Sequence, residues 1–545
     1  MWNNCIESVR ASCVKAAFVA VVVLATPSTA WSALAENLTV SPRALSMGNA
    51  VTADPPGVHS VHYNPAGLIN LPNGGTNTLT LLAPTFKTGA RFRAPEGYEV
   101  FGFSDDPIID TSHPEYQGNT SFTDKLTLYV PGGDIVEPEA FTVPTAGLAY
   151  RPEDAPYVIA STSYAPLAAG YQRGEDDPGR FQGKTLALQR ITLLSPSIAV
   201  QVNENFAFGA SIGMSYSAFF MDLDMRSPNE FVGVVRFLKE DVCPVFEGSG
   251  AIPFIPPDCV GDGLNPFDTL TSITLEATDP FGLSYNLGFL WEPDPALSIG
   301  MVYQSEAEMN FRGEFQTRNS EGLVTTFDAL QGDPFIAAIV QILGLPTNVP
   351  EEEQGDFRLD LTLPEHVAIG TKLQVTDRLQ FNLDWRWTDW EKWAQLDMIL
   401  NRGTALTQLG SFLGVTTLTQ LSIPQGFVSR AHFAFGAKYH LNSRWELRAG
   451  WEPRKSSVPD DKVSLLVPFS DANLYGVGVG YKMSNNQSFD FSLAYMESKV
   501  SAPANSSTSL NATGIDNIVY NPYAGLDVDI ETEVFIAAIT ATMRF

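Results

Sequence analysis

The sequence is poor in cationic side chains and has no long apolar run after its first 35 residues. Its 545 residues include 33 Lys and Arg against 61 Asp and Glu, a formal net charge of −28. A nucleic-acid-binding protein needs a basic face to meet phosphate groups, so this balance excludes nucleic acid as a partner. No apolar run of roughly 18 residues follows the leader, so no membrane-spanning helix is predicted.

Cysteine and histidine are scarce, with four and six residues. Two cysteines lie in the leader. Cys243 and Cys259 lie in a Pro- and Gly-rich stretch, where an oxidising compartment would let them form a disulfide. There is no C-x-x-C motif, and His59 and His62 have too few ligand-type neighbours for a metal site. No nucleophile–base set or phosphate-binding loop stands out, so we expect neither a cofactor nor an enzyme.

The first 35 residues have the form of a secretory signal peptide. Arg10 and Lys15 precede an apolar run at residues 16–25, and Ala33 and Ala35 frame a small-x-small cleavage site, with Ser28-Thr29-Ala30 as a second candidate. The apolar core of about ten residues is shorter than the roughly 20 that a spanning helix needs. We therefore expect residues 1–35 to be removed as a signal peptide.

Alternation of large apolar with small or polar residues is the dominant pattern of the remaining chain. The final segment puts Phe535, Ile539 and Phe545 on one face and Thr540 and Arg544 on the other. Similar alternation recurs near residues 283–291, 379–387, 445–451, 475–481 and 488–495. A strand between lipid and a polar lumen has this two-residue rhythm, and aromatic girdles would use the 11% aromatic content.

Short and long connections alternate strictly along the chain. The short ones carry Pro, Asp, Asn and Gly turn residues and separate pairs of strands. The pattern predicts an all-β fold, a 14-stranded antiparallel transmembrane β-barrel over residues 76–545. The predicted short turns are 151–156, 201–205, 292–296, 375–378, 441–444 and 483–487, and the long loops are 93–138, 171–184, 226–277, 315–362, 394–427, 456–470 and 501–531.

Residues 36–75 precede the first predicted strand and are too many for an idle tail. A barrel of this size is wider than its own side chains can fill. We therefore expect residues 36–75 to form an N-terminal hatch, or plug, inside the barrel. The alternative is a flexible periplasmic extension.

Three segments resemble the FadL family of outer-membrane transporters of long-chain fatty acids and other hydrophobic compounds. Residues 44–54 (ALSMGNAVTAD), followed by 63–67 (YNPAG), are similar to the family's hatch. Residues 363–393 run from a Pro-Glu strand start to a Trp-Thr-Asp-Trp strand end, and residues 447–460 resemble the family's Arg-x-Gly…Pro segment. The departures are Asp54-Pro-Pro in place of paired Asp and a Ser470-Asp-Ala-Asn sequence in place of an Asp-Arg pair.

The resemblance implies uptake of a long-chain fatty acid or other apolar small molecule across the outer membrane of a Gram-negative bacterium. In such proteins the ligand enters an extracellular groove, moves to a pocket in the barrel and leaves through a lateral opening when the hatch shifts. The motif Asn64, Pro65, Ala66 and Gly67 would lie near that opening. Outer-membrane lipids and the barrel-assembly machinery, with Phe545 as assembly signal, are the expected partners of a monomer. The alternative is a structural or secretion-associated barrel without transport.

Two groups of residues are candidates for ligand contact. Two long loops carry dense apolar residues that would form a groove, or would simply pack on each other. Four basic residues on predicted lumenal faces would meet a ligand carboxylate, or would pair with lumenal Asp384 or Glu446. The groove candidates are Phe335, Ile339, Ile342, Leu343, Leu409, Phe412 and Leu413; the basic candidates are Lys372, Arg386, Lys438 and Arg448.

Overall fold

A computed structural model describes most of the chain after the predicted leader. The described residues are 40–100, 104, 106–109, 119–129, 135–136, 142–227, 267–331, 334–342, 344–412, 414, 416–468, 470–513 and 521–545. The predicted signal peptide, Cys243 and Cys259 lie outside these ranges, so those expectations stay predictions.

The described strands form one closed antiparallel barrel. Twenty strand segments belong to a single sheet and occupy 14 positions in the wall, because several strands are interrupted. The predicted fold class is therefore confirmed. The strands are β1 Gly74–Arg93, β2 Thr120–Thr123 and Val143–Arg151, β3 Tyr157–Gln172, β4 Thr185–Leu194 and Ser197–Asn203, β5 Phe206–Met225, β6 Thr271–Asp294, β7 Leu297–Gln304 and Ala307–Asn319, β8 Glu352–Leu363 and His366–Gln374, β9 Leu379–Thr388 and Gln395–Leu400, β10 Gln420–Pro424 and Arg430–His440, β11 Trp445–Arg454, β12 Ala472–Lys482, β13 Gln487–Ala502 and β14 Asp527–Arg544.

Closure is made by the first and last strands. β1 pairs with β14 in an unbroken register from Thr76↔Arg544 to Arg93↔Asp527. The backbone N–H of Gly75 donates to the carbonyl of Phe545 at 2.8 Å, and the N–H of Phe545 donates back to Gly75 at 2.9 Å. The first and last strands thus pair with each other along the whole of this register, and such closure is what a bilayer requires of a barrel.

The two faces of the wall follow the predicted alternation. On β6, Leu283 and Tyr285 are 53% and 46% exposed, whereas Asn286 between the outward residues is buried. On β14, Phe535 is exposed and Ile536 is buried. Exposed large apolar side chains alternate with side chains buried in the interior, polar at Asn286 and apolar at Ile536, and this alternation is the pattern of a wall between hydrocarbon and a filled lumen.

The predicted turns agree with the structure, and several predicted loops are shorter than expected. Asn203 and Asn442 each accept two backbone N–H bonds inside a short turn. At the other end, β7 extends to Asn319, β8 begins at Glu352 and β9 continues to Leu400. The strands therefore extend into residues that were predicted to be loops. Leu396, Met398 and their neighbours, for example, pair as strands.

Short helices occupy the lumen and the loops. In the lumen, α1 is Pro42–Ser46, α2 is Ser60–Tyr63, and 3-10 turns lie at Gly57–His59 and Pro65–Asn70. In the loops, α3 is Glu321–Gln331, α4 is Pro334–Ile342 and α5 is Ala405–Phe412. None of the helices in the described part of the chain is both long enough and apolar enough to cross a membrane.

Candidate functional site

The hatch fills the lumen against a set of wall glycines. Every residue from 40 to 71 is buried or partly buried except Asn70, and β1 begins at Gly74, close to the predicted end of the hatch. A Cβ at Gly450 would lie 2.0 Å from the backbone of Gly48, and a Cβ at Gly288 would lie 2.1 Å from Oδ1 of Asn64. Only glycine leaves room for this approach. The glycines whose Cβ would meet hatch atoms are Gly147, Gly209, Gly288, Gly300, Gly370, Gly436, Gly450, Gly476 and Gly478.

Asn64 joins the hatch to itself and to the wall. Its Nδ2 donates to the carbonyl of Thr52 at 2.8 Å and to the carbonyl of Phe289 on β6 at 3.1 Å. Its Oδ1 accepts the N–H of Ala66 at 3.2 Å and caps the 3-10 turn that Pro65 begins. The motif thus packs on β5 and β6, where Gly209 and Gly288 have no side chain to obstruct it.

A buried ionic cluster ties the hatch to the opposite wall. Glu452 is fully buried and accepts from Arg386 at 2.9 Å, from Arg454 at 2.8 Å and from His432 at 2.7 Å. The Nδ2 of Asn49, in the hatch, donates to the same carboxylate at 2.8 Å. A buried charge is tolerated only when it is paired and hydrogen-bonded, so this cluster orders the strands β9, β10 and β11 around the hatch.

Asp54 of the hatch makes a second ionic contact with the wall. Nζ of Lys438 donates to its carboxylate at 2.6 Å, and Arg43 lies 3.5 Å away. Burial opposes ionisation of Asp54, but the charges of Lys438 and Arg43 outweigh that effect and hold the pKa of its carboxyl below the usual range. The hatch is therefore anchored by charge as well as by shape.

All four predicted lumenal cations face inward and each has a protein carboxylate partner. Lys372 pairs with Glu292 at 3.2 Å, and Arg448 pairs with Glu446 and Asp490. Lys438 and Arg386 make the contacts described above. Of the two partners expected from sequence, Glu446 is found on Arg448, whereas Asp384 accepts the backbone N–H of Thr52 at 2.8 Å. A role for any of these cations toward a ligand stays a prediction.

The wall is interrupted where β1, β2 and β3 meet. The β1–β2 register runs from Gly74↔Arg151 to Leu82↔Val143 and resumes at Thr88↔Thr123. The β3–β4 register shifts between Tyr164 and Leu167. Proline lacks an N–H and is found in sheets at edges and bulges. The three strands each carry one proline at this place, namely Pro84, Pro144 and Pro166.

An apolar cavity lies inside the barrel beside this interruption. It has an empty volume of ≈ 1570 Å³, which includes space open to solvent. None of its described lining residues is charged. We call it the apolar cavity; its lining includes Leu82, Pro84 and Phe86 of β1, Val143 of β2, residues 165–171 of β3, and Trp390, Trp393 and Phe427.

Aromatic side chains form one end of the apolar cavity. The rings of Trp390 and Trp393 meet edge to face at 5.1 Å, and Phe427 lies 6.2 Å from each. These residues belong to the inward-folded segments between the two halves of β9 and of β10. In the sequence, Trp390 and Trp393 were visible only as part of the segment 363–393 that resembles the family's strand end; their place at a cavity depends on the breaks in β9 and β10, which the structure shows.

The loop candidates separate into buried and exposed residues. Leu409 is buried on α5 in a cluster with Leu323 and Phe327 of α3, so this part of the loops packs together. Ile342 and Phe412 are 83% and 44% exposed. The side chains of Phe335 and Ile339, and residues Leu343 and Leu413, lie outside the described part. Across the described residues there is no group of three His, Cys, Asp or Glu that could hold a metal ion.

Comparison with known proteins agrees with this architecture. A model of the family described as outer membrane protein transport protein (OMPP1/FadL/TodX) matches residues 19–545. The 47 kDa outer membrane protein of Pasteurella multocida is 24% identical over 244 residues, 44% of this chain and 50% of that protein. The long-chain fatty acid transport protein of Escherichia coli is 24% identical over 232 residues, 43% of this chain and 45% of that protein. The chain therefore spans about half the length of the curated relatives it matches.

Solved structures share the fold over nearly the whole chain. A FadL homologue from Pseudomonas aeruginosa has a TM-score of 0.63 at 15% identity, covering 95% of this chain and 100% of its own. The toluene transporter TbuX of Ralstonia pickettii has a TM-score of 0.56 at 15% identity, covering 93% of this chain and 99% of its own. At these identities the likeness concerns the fold alone. Because the family model matches residues 19–545, the chain belongs to the outer membrane protein transport protein family (OMPP1/FadL/TodX), and its barrel is an outer-membrane barrel.

Proposed function

We propose that the protein takes up long-chain fatty acids or similar hydrophobic small molecules across the outer membrane by passive diffusion. The ligand enters from the extracellular loops, occupies the apolar cavity and leaves through the interruption between β1, β2 and β3. The names of the relatives support this direction, since they include a long-chain fatty acid transport protein and a toluene transporter. No chemical step is part of the proposal.

The observation that carries the proposal is the position of the apolar cavity at the wall interruption. Leu82, Pro84 and Val143 line the cavity and also border the gap in the β1–β2 register. Burying each CH2 of a ligand there gains about 0.8 kcal/mol. A hydrophobic molecule can thus pass from the lumen toward lipid without crossing a layer of charged side chains.

The hatch supports the same function by blocking a direct aqueous path. The hatch contacts wall strands on opposite sides of the barrel, and these contacts argue against a wide water-filled pore. Such a pore would offer an apolar solute no binding energy. The interruption lies at β1–β3, whereas Asn64 packs on β5 and β6. Asn64 therefore acts, in this proposal, by holding the hatch rather than by lining the exit.

The test is uptake by a host that lacks its own transporter of this kind. Wild-type protein should raise the uptake rate of hexadecanoic acid or toluene above an empty-vector host. Ala168→Trp places a large ring in the apolar cavity and should reduce that uptake strongly. Ala537→Trp makes the same change on the outward face of β14 and should leave uptake unchanged. Equal uptake by wild-type and empty-vector hosts would favour a structural barrel without transport.

A further inference from the structure

One segment of the first long loop lies against the outer face of the barrel wall. The chain leaves β2 after Thr123 and returns to it at Val143. We call residues 124–129 the strap. Its last two residues, Leu128–Tyr129, pair with Ile135–Val136 in a two-stranded sheet that is separate from the barrel sheet. The strap is therefore not a strand of the wall, although it begins directly beside one.

The contacts of Tyr129 place the end of the strap outside the barrel. Its hydroxyl donates to the carboxylate of Glu276 on β6 at 3.2 Å, and its ring centre lies 5.7 Å from that of Phe220 on β5. The residues that precede these two in sequence, Phe219 and Leu275, belong to the apolar cluster inside the barrel. Successive side chains of a strand point to opposite faces. Phe220 and Glu276 therefore point outward, and Tyr129 lies on the outer face of the wall.

The middle of the strap is attached to β3 and β4. A Cβ at Gly170 of β3 would lie 2.2 Å from the carbonyl oxygen of Thr127, so the strap lies directly against the backbone of this strand. The hydroxyl of Thr127 donates to the carbonyl of Leu186 on β4 at 3.2 Å. The side-chain amide of Gln189, also on β4, donates to the carbonyl of Tyr129 at 2.8 Å. The strap thus crosses the outside of the wall from β3 to β6.

The same strap reaches the apolar cavity at the interruption of the wall. Leu126 and Leu128 both line the cavity, and Leu126 packs on the apolar cluster that contains Leu82 and Phe86 of β1. Leu82 is the last residue of β1 in register with the second half of β2, and the register resumes only at Thr88. Leu126 therefore lies at the gap through which the cavity would open to lipid.

A segment that lies outside the wall and also lines the cavity at the gap stands across the path from the lumen to the bilayer. We propose that the strap closes the lateral exit, and that a ligand leaves the barrel only when Leu126 and Thr127 move away from the gap. Tyr129 is a positioning residue in this assignment, because its bond to Glu276 holds the end of the strap. This inference rests on the proposed function and adds a closing element to its exit.

The attachment of the strap is suited to reversible movement. Thr127 and Tyr129 are its buried residues, and the other four are exposed or partly exposed. Segments with few buried apolar contacts open at free energies well below that of global unfolding. The strands beneath the strap keep their own ladder, since β3 pairs with β4 without a break from Leu167 to Gln172. The strap can therefore lift while the barrel stays closed.

A reversible cross-link between the strap and the wall tests the inference. The double variant Tyr129→Cys with Glu276→Cys is produced as full-length protein in the same uptake host and treated with a bifunctional thiosulfonate reagent that has a flexible spacer. Uptake of hexadecanoic acid should fall to the level of the empty-vector host and should recover when a reductant cleaves the bridge. Each single variant and the wild type receive the same treatment, which controls for the native cysteines, and surface protein is measured in all samples.

A cross-link between two fixed strands is the matched control. Leu79 of β1 and Ala541 of β14 are direct partners in the sheet register. The double variant Leu79→Cys with Ala541→Cys should therefore accept the same reagent without a change in uptake. Unchanged uptake after the strap is cross-linked, or failure of the strap pair to react where the control pair does, would overturn the assignment of the strap. A wild-type rate equal to that of the empty-vector host would overturn the proposed function instead.

Tyr129→Phe tests the positioning role with a gain of activity, which a purely structural residue would not produce. The variant keeps the ring but loses the bond to the carboxylate of Glu276. Loss of a hydrogen bond to a charged group should raise the population of the open strap, and with it the uptake rate, by up to about tenfold. An uptake rate equal to or below that of wild type, at equal surface protein, would contradict the role of Tyr129.

Discussion

The side-chain amide of Asn49 donates to the carboxylate of Glu452 at 2.8 Å, across 403 positions of sequence. Asn49 also has a positive φ of 61°, next to Gly48 at 58°. The hatch therefore makes a tight left-handed turn at the point where it contacts the ionic cluster on β9–β11. Asn49 thus combines the backbone turn of the hatch with a hydrogen bond to the buried ionic cluster.

Asn49→Ala should loosen the hatch without preventing barrel assembly. The variant loses the bond to Glu452 and places a residue that disfavours positive φ in that turn, together costing about 1–3 kcal/mol. We expect normal amounts of folded protein and faster entry of small polar solutes in a liposome-swelling assay. Asn505→Ala is the matched control, because Asn505 has a φ of 66° in an exposed loop. Equal swelling rates for both variants would contradict the claim that Asn49 holds the hatch in place.

Asn64→Ala should reduce uptake while surface protein is unchanged. The substitution removes the donor to the carbonyls of Thr52 and Phe289 and the acceptor for Ala66. A buried polar group left unsatisfied costs about 1–3 kcal/mol, so the docked position of the hatch should be less favoured. Uptake of hexadecanoic acid and surface labelling are measured together. Asn442→Ala removes an asparagine that accepts two backbone N–H bonds in a short turn, and a similar loss of uptake there would show that Asn64 has no special role.

The strands could be predicted because lipid and lumen act on every residue of the wall. On β6, exposure alternates between Leu283 and Ser284 in the way the sequence indicates. The short turns could be predicted equally well, because Asn203 and Asn442 form local hydrogen bonds that need no distant partner. The alternating glycines of β12 can also be read from the sequence. The reason for them cannot, because Gly476 is required by the close approach of Leu45 in the hatch.

The ligand-facing residues could not be predicted in the same way. Whether a lumenal cation is paired depends on tertiary neighbours, and Lys438 finds its partner 384 positions away in Asp54. Pro84 and Pro166 both line the apolar cavity, beside the gap in the β1–β2 register and the shift in the β3–β4 register, and the sequence alone does not show that they meet at one cavity.

Leu409→Ala and Phe412→Ala should separate packing from ligand capture in the extracellular loops. Leu409 is 7% exposed against Leu323 and Phe327, so its truncation should cost about 2–5 kcal/mol of local packing. We expect faster proteolysis of the loops in intact cells. Phe412 is 44% exposed, so its truncation should leave proteolysis unchanged and slow uptake at low ligand concentration. Slower uptake with neither variant would argue that this surface takes no part in capture.

Acid should weaken hatch docking through two histidines. Burial lowers the pKa of His59 to about 4 and, with Arg386 and His366 nearby, that of His62 to about 3. A released hatch would bind protons near pH 6.5, so the stabilisation is complete above that pH and declines as pH falls toward 4. At pH 5 the loss is on the order of 2 kcal/mol for each histidine. Asp54 stays ionised throughout this window because its pKa lies lower still.

Single-channel conductance in planar bilayers measures this effect. Wild-type protein should show larger or more frequent openings at pH 5 than at pH 7.5, because protonation of His59 would disturb its 3.2 Å contact with Thr80 and charge a buried site. The double variant His59→Gln with His62→Gln keeps polar side chains that cannot take up a proton, and its conductance should be the same at both values. An acid response of equal size in the double variant would assign the effect to other groups, and a flat response in wild type would remove the histidines from hatch control.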